Sequence, residues 1–404
     1  MIWSIAWRNV WRNKKRSAVI LAAIAFGLWA GLFSSALSFG MVEQMVSSTI
    51  ELRTSDLQIH HPDFRAHMEI GNVIPKGEEV LRAVRNEPNV RKATGRAVVA
   101  GMASSPLTGT GVVMMGISPE NEAAVTSIHT QIIEGDYFAS KARNPVVIGR
   151  KLAEKLGVKV GNKIVLTAQA ADGSIAGGAF RVVGIYKTVS TEFDKRMIFA
   201  LREDLDHTFE MNGEFHEIAV LGSDVKRLDD LQAALQRQFP NLEVATWRQL
   251  EPEMGAMNDM TRQWVYIFLI TILLALVFGI TNTMLMGVLE RVRELGVVIA
   301  LGMNHAQIFL MILLETIFLT TLGAFIGIGM GAATIEIIGK VGIDLSFVAG
   351  GFEMFGMSAI LYPSLPLAEY PTIIILVTLT ALFAAIYPGI KAMRLNPVNA
   401  IRTY

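Results

Sequence analysis

Gln263-Trp-Val-Tyr-Ile-Phe-Leu-Ile-Thr-Ile-Leu-Leu-Ala-Leu-Val-Phe-Gly-Ile280 carries no charge, and the apolar pattern continues to Leu289. The charged turn Glu290-Arg-Val-Arg-Glu-Leu-Gly296 follows, then Ala300-Leu301-Gly302, then a second apolar run through Met330. At 1.5 Å per residue, about 20 helical residues cross a ~30 Å hydrocarbon core, so each run is long enough to span a membrane. Working outward, Ser17 to Phe39 and Pro371 to Met393 supply two more spans. The expected fold is therefore an α-helical membrane protein with four transmembrane helices and a large α+β extracytoplasmic domain between helices one and two.

Hydrophobic residues make up 52% of the 404 positions, yet residues 40–263 are as charged as a soluble domain. Charge placement sets the expected orientation. Residues 1–16, the turn after span two and the end of the chain from Lys391 together hold 10 basic and 2 acidic residues, whereas residues 40–263 hold 25 basic and 29 acidic. Positive-inside counting puts both termini and residues 290–305 in the cytoplasm and the large domain outside. Span one is too long for a signal h-region and is read as retained. The absence of cysteine removes disulfides, thiolate metal sites and cysteine nucleophiles. A formal net charge of zero gives no footprint for nucleic acid. No Gly-x-x-x-x-Gly-Lys-Ser/Thr stretch occurs, so no nucleotide site is expected on this chain.

Trp3, Trp7 and Trp11 recur every fourth residue and share one helical face, while Arg8 and Arg12 lie elsewhere on the wheel. This predicts an amphipathic helix in the membrane interface, its indoles at headgroup depth, with Asn13-Lys14-Lys15-Arg16 turning the chain into span one. Gly27 and Gly31 in span one, and Gly323, Gly327 and Gly331 in span three, are spaced for close helix approach, within the chain or between copies. Glu315 is the exception in an otherwise apolar run. It should face protein or water rather than lipid, as a snorkelling or structurally hydrogen-bonded group rather than a proton relay.

In the large domain, a helix continues from Gly40 to Leu52, and Asp56 to His60 alternates as a strand. Gly77 to Asn86 reads as a helix, and Val98 to Ile117 as β-type runs. A strand at Pro145 to Gly149 leads into a helix stopped by Gly157, and Lys163–Thr167 and Ala179–Tyr186 flank the turn Ala171-Asp172-Gly173 as a hairpin. Phe215–Leu221, Val225–Phe239 and Leu242–Ala245 read as strand, helix, strand, and Trp247 to Met260, interrupted by Pro252, as the returning helix. Two lobes are expected, the middle one, about 105–190, mostly β. His60, His61, Asp63 and His67 lack regular ligand spacing and are read as surface residues, and the scattered methionines as apolar filler; no metal site is assigned.

With these pieces placed, Glu290-Arg-Val-Arg-Glu-Leu-Gly-Val-Val-Ile-Ala-Leu-Gly302, the ending Tyr387-Pro-Gly-Ile-Lys-Ala-Met-Arg-Leu-Asn-Pro-Val-Asn-Ala-Ile-Arg402, and Gly135-Asp-Tyr-Phe138, Val147-Ile-Gly-Arg-Lys-Leu-Ala153 and Gly157-Val-Lys-Val-Gly161 resemble the MacB/FtsX/LolC-LolE superfamily of ABC transporter permeases. Gln44-Met45 with Asp56-Leu-Gln-Ile-His60 resembles the lipoprotein-releasing branch. The resemblance implies a MacB-like periplasmic core at 40–263, spans at 17–39, 264–289, 306–338 and 371–393, an outer loop at 339–370 and a cytoplasmic tail at 394–404. It makes 290–305 a coupling helix that seats in a separate cytoplasmic ABC ATPase dimer, with Glu290, Arg291, Arg293, Glu294, Leu295, Gly296, Ala300 and Gly302 at the contact. Ile299 stands where the family often has a basic residue. The chain itself would bind no cofactor, ATP and Mg residing on the ATPase. Further implied partners are a second permease subunit, identical or sister, membrane lipid, a lipoprotein or lipid substrate, and a periplasmic carrier or adaptor. A MacB-like efflux permease and an FtsX-like signalling protein acting on a cell-wall hydrolase are the alternatives.

Overall fold

A computed structural model describes residues 2–140, 142–348, 351–352 and 357–394. Residues 395–404, which hold the end of the resemblance from Asn396 to Arg402 and most of the tail, lie outside the described residues. The chain divides into two units, with boundaries at residues 43/44, 257/258, 344/345 and 359/360.

The first unit is helical. Its elements are α1 (Ile2–Arg12) and α2 (Lys14–Thr49), which continues as a π-helical turn over Ile50–Thr54. The large domain intervenes with helices α3 (Phe64–His67), α4 (Gly77–Arg85), α5 (Pro119–Ala123), α6 (Arg150–Leu156), α7 (Thr191–Arg196), α8 (Arg202–Phe209), α9 (Leu228–Gln238) and α10 (Trp247–Leu250). Then come α11 (Pro252–Glu290), α12 (Val292–Ala300), α13 (His305–Val341) and α14 (Glu369–Met393). Among the described residues, α2 with its π turn, α11, α13 and α14 are the four helices long and apolar enough to cross a membrane.

The glycines pack within the bundle. Cβ atoms added at Gly323, Gly327 and Gly331 would press on Ile24, on Ala25 and Leu28, and on Leu32, so α13 lies against one face of α2. Gly27 and Gly31 serve the opposite need, receiving Leu276 and Leu269 of α11. Where lipid is as apolar as leucine, such close backbone approach is what holds helices together.

The join between α1 and α2 is tighter than a four-residue polar turn. Only Asn13 leaves the helix, because Lys and Arg are good helix formers and the Ser17 hydroxyl donates to the Val10 carbonyl across the bend. Trp3, Trp7 and Trp11 are exposed on one face of α1, with Trp3 and Trp7 edge-on to Phe318.

The second unit is α+β. Its strands are β1 (Leu57–His60), β2 (Val90–Ser104), β3 (Gly109–Ile117), β4 (Ile132–Gly135), β5 (Pro145–Gly149), β6 (Lys163–Gln169), β7 (Ile175–Tyr186), β8 (Met197–Leu201), β9 (Glu217–Gly222) and β10 (Glu243–Thr246). They form one path, β10-β1-β9-β2-β3-β8-β5-β7-β4, with β6 bridging β2 and β7. The two lobes share β2: Val90 to Arg96 pairs with β9, and Ala97 to Ser104 pairs with β3. The expected hairpin forms as β6 and β7 around Asp172-Gly173, and Gly157, at φ +64°, ends α6 in the left-handed conformation. The β-rich lobe runs past residue 190, since β8 pairs parallel with β3 and antiparallel with β5. In the first unit, Ile343–Asp344 and Ile360–Leu361 pair antiparallel as β11 and β12.

Candidate functional site

The charged turn resolves into a built corner. Arg291 leaves helical geometry after α11, and α12 then runs to Ala300. Gly302, at φ +98°, turns the chain in a conformation other residues adopt at a cost. Asn304 restarts it: its Oδ1 accepts from the Ala306 N–H at 3.2 Å, and the Gln307 Oε1 accepts from the Asn304 N–H at 3.0 Å. Leu295 and Gly296 face inward and are buried. Glu290, Arg293, Glu294, Val297 and Ala300 are exposed, as is Leu301, at 83%. Arg293, Val297 and Leu301 stand four residues apart, so they line one stripe.

Arg291 turns away from this stripe. Its Nη1 lies 3.5 Å from the Glu315 carboxylate, and its side chain is only 15% exposed. Glu315 is buried, so this pair gives the acid inside the apolar run of span three a protein partner. Arg12 of α1 pairs with Glu294 at the surface. Sequence reading placed Arg291 and Glu315 separately; the corner brings them together.

A second charged cluster lies inside the α+β unit. Arg96 is wholly buried and reaches Glu122 through two bonds, Nε to Oε2 at 3.0 Å and Nη2 to Oε1 at 2.7 Å. Its Nη1 donates to Glu217 Oε1 at 2.6 Å and to the Arg53 carbonyl at 2.7 Å. Arg96 and Glu217 stand directly opposite in the β2–β9 register. Gln58 Nε2 donates to Glu217 at 3.0 Å, and His60 lies 3.6 Å from the same carboxylate. The Arg53 carbonyl belongs to the π turn over Ile50–Thr54, so this cluster holds that turn on the sheet.

This corrects the reading of His60 as a surface residue, since it is 2% exposed. His61 is half-buried and His67 exposed, as expected of solvated side chains. β1 is buried on both faces because its polar side meets the Arg96 cluster rather than water. Burial alone would raise the Glu217 carboxyl, but the charge of Arg96, with His60 close by, outweighs it and holds it at about 2. Burial pushes the His216 imidazole down; its Nδ1 accepts from the Val98 N–H at 3.1 Å and its Nε2 sits 3.0 Å from the Ile70 carbonyl. Sequence reading missed Arg96, Glu122 and Glu217. The available signal was an arginine set in the β-type stretch Thr94-Gly-Arg-Ala-Val-Val99.

Comparison with known proteins decides the family. The MacB-like periplasmic core domain model matches residues 17–238, and the FtsX-like permease C-terminal model matches residues 266–397. The chain belongs to the MacB/FtsX/LolC family of ABC transporter permeases. This permease is 21% identical to the lipoprotein-releasing system transmembrane protein LolC of Neisseria meningitidis, over 83% of the chain and 84% of that protein. It is 25% identical to an uncharacterised ABC transporter permease of Methanocaldococcus jannaschii, over 67% of the chain and 65% of that protein. Over 31% of its length it is 32% identical to the macrolide export ATP-binding/permease protein MacB of Rhodopirellula baltica, of which the match covers 16%. Members of this family work with cytoplasmic ABC ATPases.

Proposed function

We propose that the chain is the permease half of an ATP-driven transporter of the mechanotransmission type, which extracts lipoproteins or lipids from the outer leaflet of the inner membrane. In this reading both termini and α12 are cytoplasmic, the α+β unit is periplasmic, and a second permease subunit completes the transporter. The observation that carries it is the stripe Arg293, Val297 and Leu301: a rigid corner presents a cation and two uncovered aliphatic side chains, a combination suited to docking on another protein. Hydrolysis on the ATPase would then move α12 and, through α2 and its π turn, the sheet that Arg96 grips. The likeness to LolC over most of both chains supports a lipoprotein or lipid substrate.

A mild-detergent pull-down of the full chain from its native membrane, with mass spectrometry of what is retained, tests this reading. An ABC ATPase together with lipoproteins or a lipoprotein carrier is the expected result. A periplasmic adaptor in their place would move the assignment to efflux, and a cell-wall hydrolase would move it to signalling. Absence of any ATPase would overturn the mechanism.

A further inference from the structure

Arg16, at the start of span one, is a half-buried cation without a matching carboxylate. Among the described residues it has no carboxylate within ion-pair distance, whereas its neighbours Arg12 and Arg291 are matched by Glu294 and Glu315. Its polar contacts are long: Nη2 lies 3.4 Å from the Met284 carbonyl and 3.7 Å from the Met284 sulfur, and its Nε is buried without a partner. The absence of a side chain at residue 287 leaves room for it. Gly287 of α11 lies directly under the guanidinium, and any side chain there would overlap it. Arg16 opens into a cavity of about 520 Å³ in the helical unit, which Arg12, Arg291, Arg293 and Glu294 also line and whose apolar walls include Val288, Met311 and Ile312.

We propose that this cavity binds the phosphodiester headgroup of an anionic phospholipid, with Arg16 as its principal donor and the apolar wall receiving the glycerol and the start of an acyl chain. The guanidinium fork matches two phosphate oxygens, and partial burial strengthens each bond. The depth fits as well, because Arg16 follows directly on the helix whose Trp3, Trp7 and Trp11 mark an interfacial level. Basic pockets between membrane helices are a recurrent seat for lipid headgroups. The carboxylate of Glu315 lines the same cavity and selects among anions: it disfavours a dianion, so a singly charged diester is accepted over inorganic phosphate. This inference does not depend on what the transporter moves.

The test is to purify the full chain from a detergent micelle doped equally with phosphatidylglycerol and phosphatidylcholine, and to quantify bound lipid by native mass spectrometry. The wild-type chain should carry phosphatidylglycerol in preference to phosphatidylcholine. Arg16→Gln should lower that occupancy about ten-fold, the loss of one charge-assisted hydrogen-bond pair. Gly287→Leu, which fills the seat without removing a charge, should do the same, whereas Arg8→Gln, exposed on α1, should not. Equal binding of the two lipids by the wild-type chain would overturn the proposal whatever the variants do. Displacement of the lipid by excess inorganic phosphate would overturn it in favour of a simple anion site, and unchanged occupancy in both seat variants would remove the cavity from consideration.

Discussion

Two arginine–carboxylate clusters in one chain are built to opposite specifications. In the α+β unit Arg96 is saturated: six short bonds or close pairs tie it, directly or through Glu217, to two carboxylates, a carbonyl, Gln58 and His60, and the side chains involved are all buried. In the helical unit the arginines around α12 are distributed: Arg12 pairs at the surface, Arg291 reaches a buried acid at 3.5 Å, Arg16 is unmatched beside a cavity, and Arg293 is exposed on α12. A closed network fixes a geometry, because every alternative leaves a buried charge uncompensated. An open one leaves capacity for a ligand or partner. The contrast separates a part of this permease that holds one geometry from a part where the proposed docking and lipid binding have room to occur.

The comparison breaks if the closed cluster proves dispensable. Arg96→Met strands two buried carboxylates and should cost about 3–5 kcal/mol of stability in denaturant unfolding of the detergent-solubilised chain. Acid should reveal the same cluster. Glu217 is held at about 2 against an ordinary 4.5, so its contribution is complete above pH 4.5 and is lost as pH falls toward 2, on the order of 3 kcal/mol. His216 is held below its ordinary 6.5, so its contribution also fades on acidification, beginning near that pH. A stability curve that is flat between pH 6.5 and pH 3 would contradict both assignments.

A smaller effect sharpens the contrast inside the bundle. Gly327→Leu must push past the Ala25 carbonyl, 2.7 Å from where its Cβ would lie, and should destabilise by about 1–3 kcal/mol. Gly329→Leu meets nothing within 4 Å and should be tolerated within about 0.5 kcal/mol. Equal melting temperatures for the two variants would show that α13 does not pack on α2 through this face. The smallest effect is expected at the open cluster's surface: Arg12→Gln should change stability by no more than about 0.5 kcal/mol, since Arg12 and Glu294 are both over half exposed.

The spans were legible because an uncharged run of about 20 residues has few other readings. Turn chemistry made β6 and β7 legible through Asp172-Gly173, and Gly157 marked the end of α6. By contrast, β8 was hidden. Met197-Ile-Phe-Ala-Leu201 is buried along nearly its whole length and sits between two charged helices, so it lacks the alternation that marks a half-exposed strand. The strand at Leu57 misled differently: Gln58 and His60 imply a wet face, and only tertiary structure brings Arg96 and Glu217 to cover it. Glu315 stood out against a long apolar background, whereas Arg96 lay in a domain where charges are common and did not. The pairing of Glu315 with Arg291 has no local sequence signal, because it depends on how tightly Gly302 and Asn304 turn the chain back.

The measurement closest to the central claim is the amount of ABC ATPase retained by Leu301→Asp relative to the wild-type full chain, read beside the melting temperature of each. Leu301 is among the most exposed apolar side chains and touches neither charged cluster, so the account predicts an unchanged melting temperature and loss of most of the ATPase. Full retention of the ATPase by a correctly folded Leu301→Asp chain would contradict the assignment of α12 as its seat.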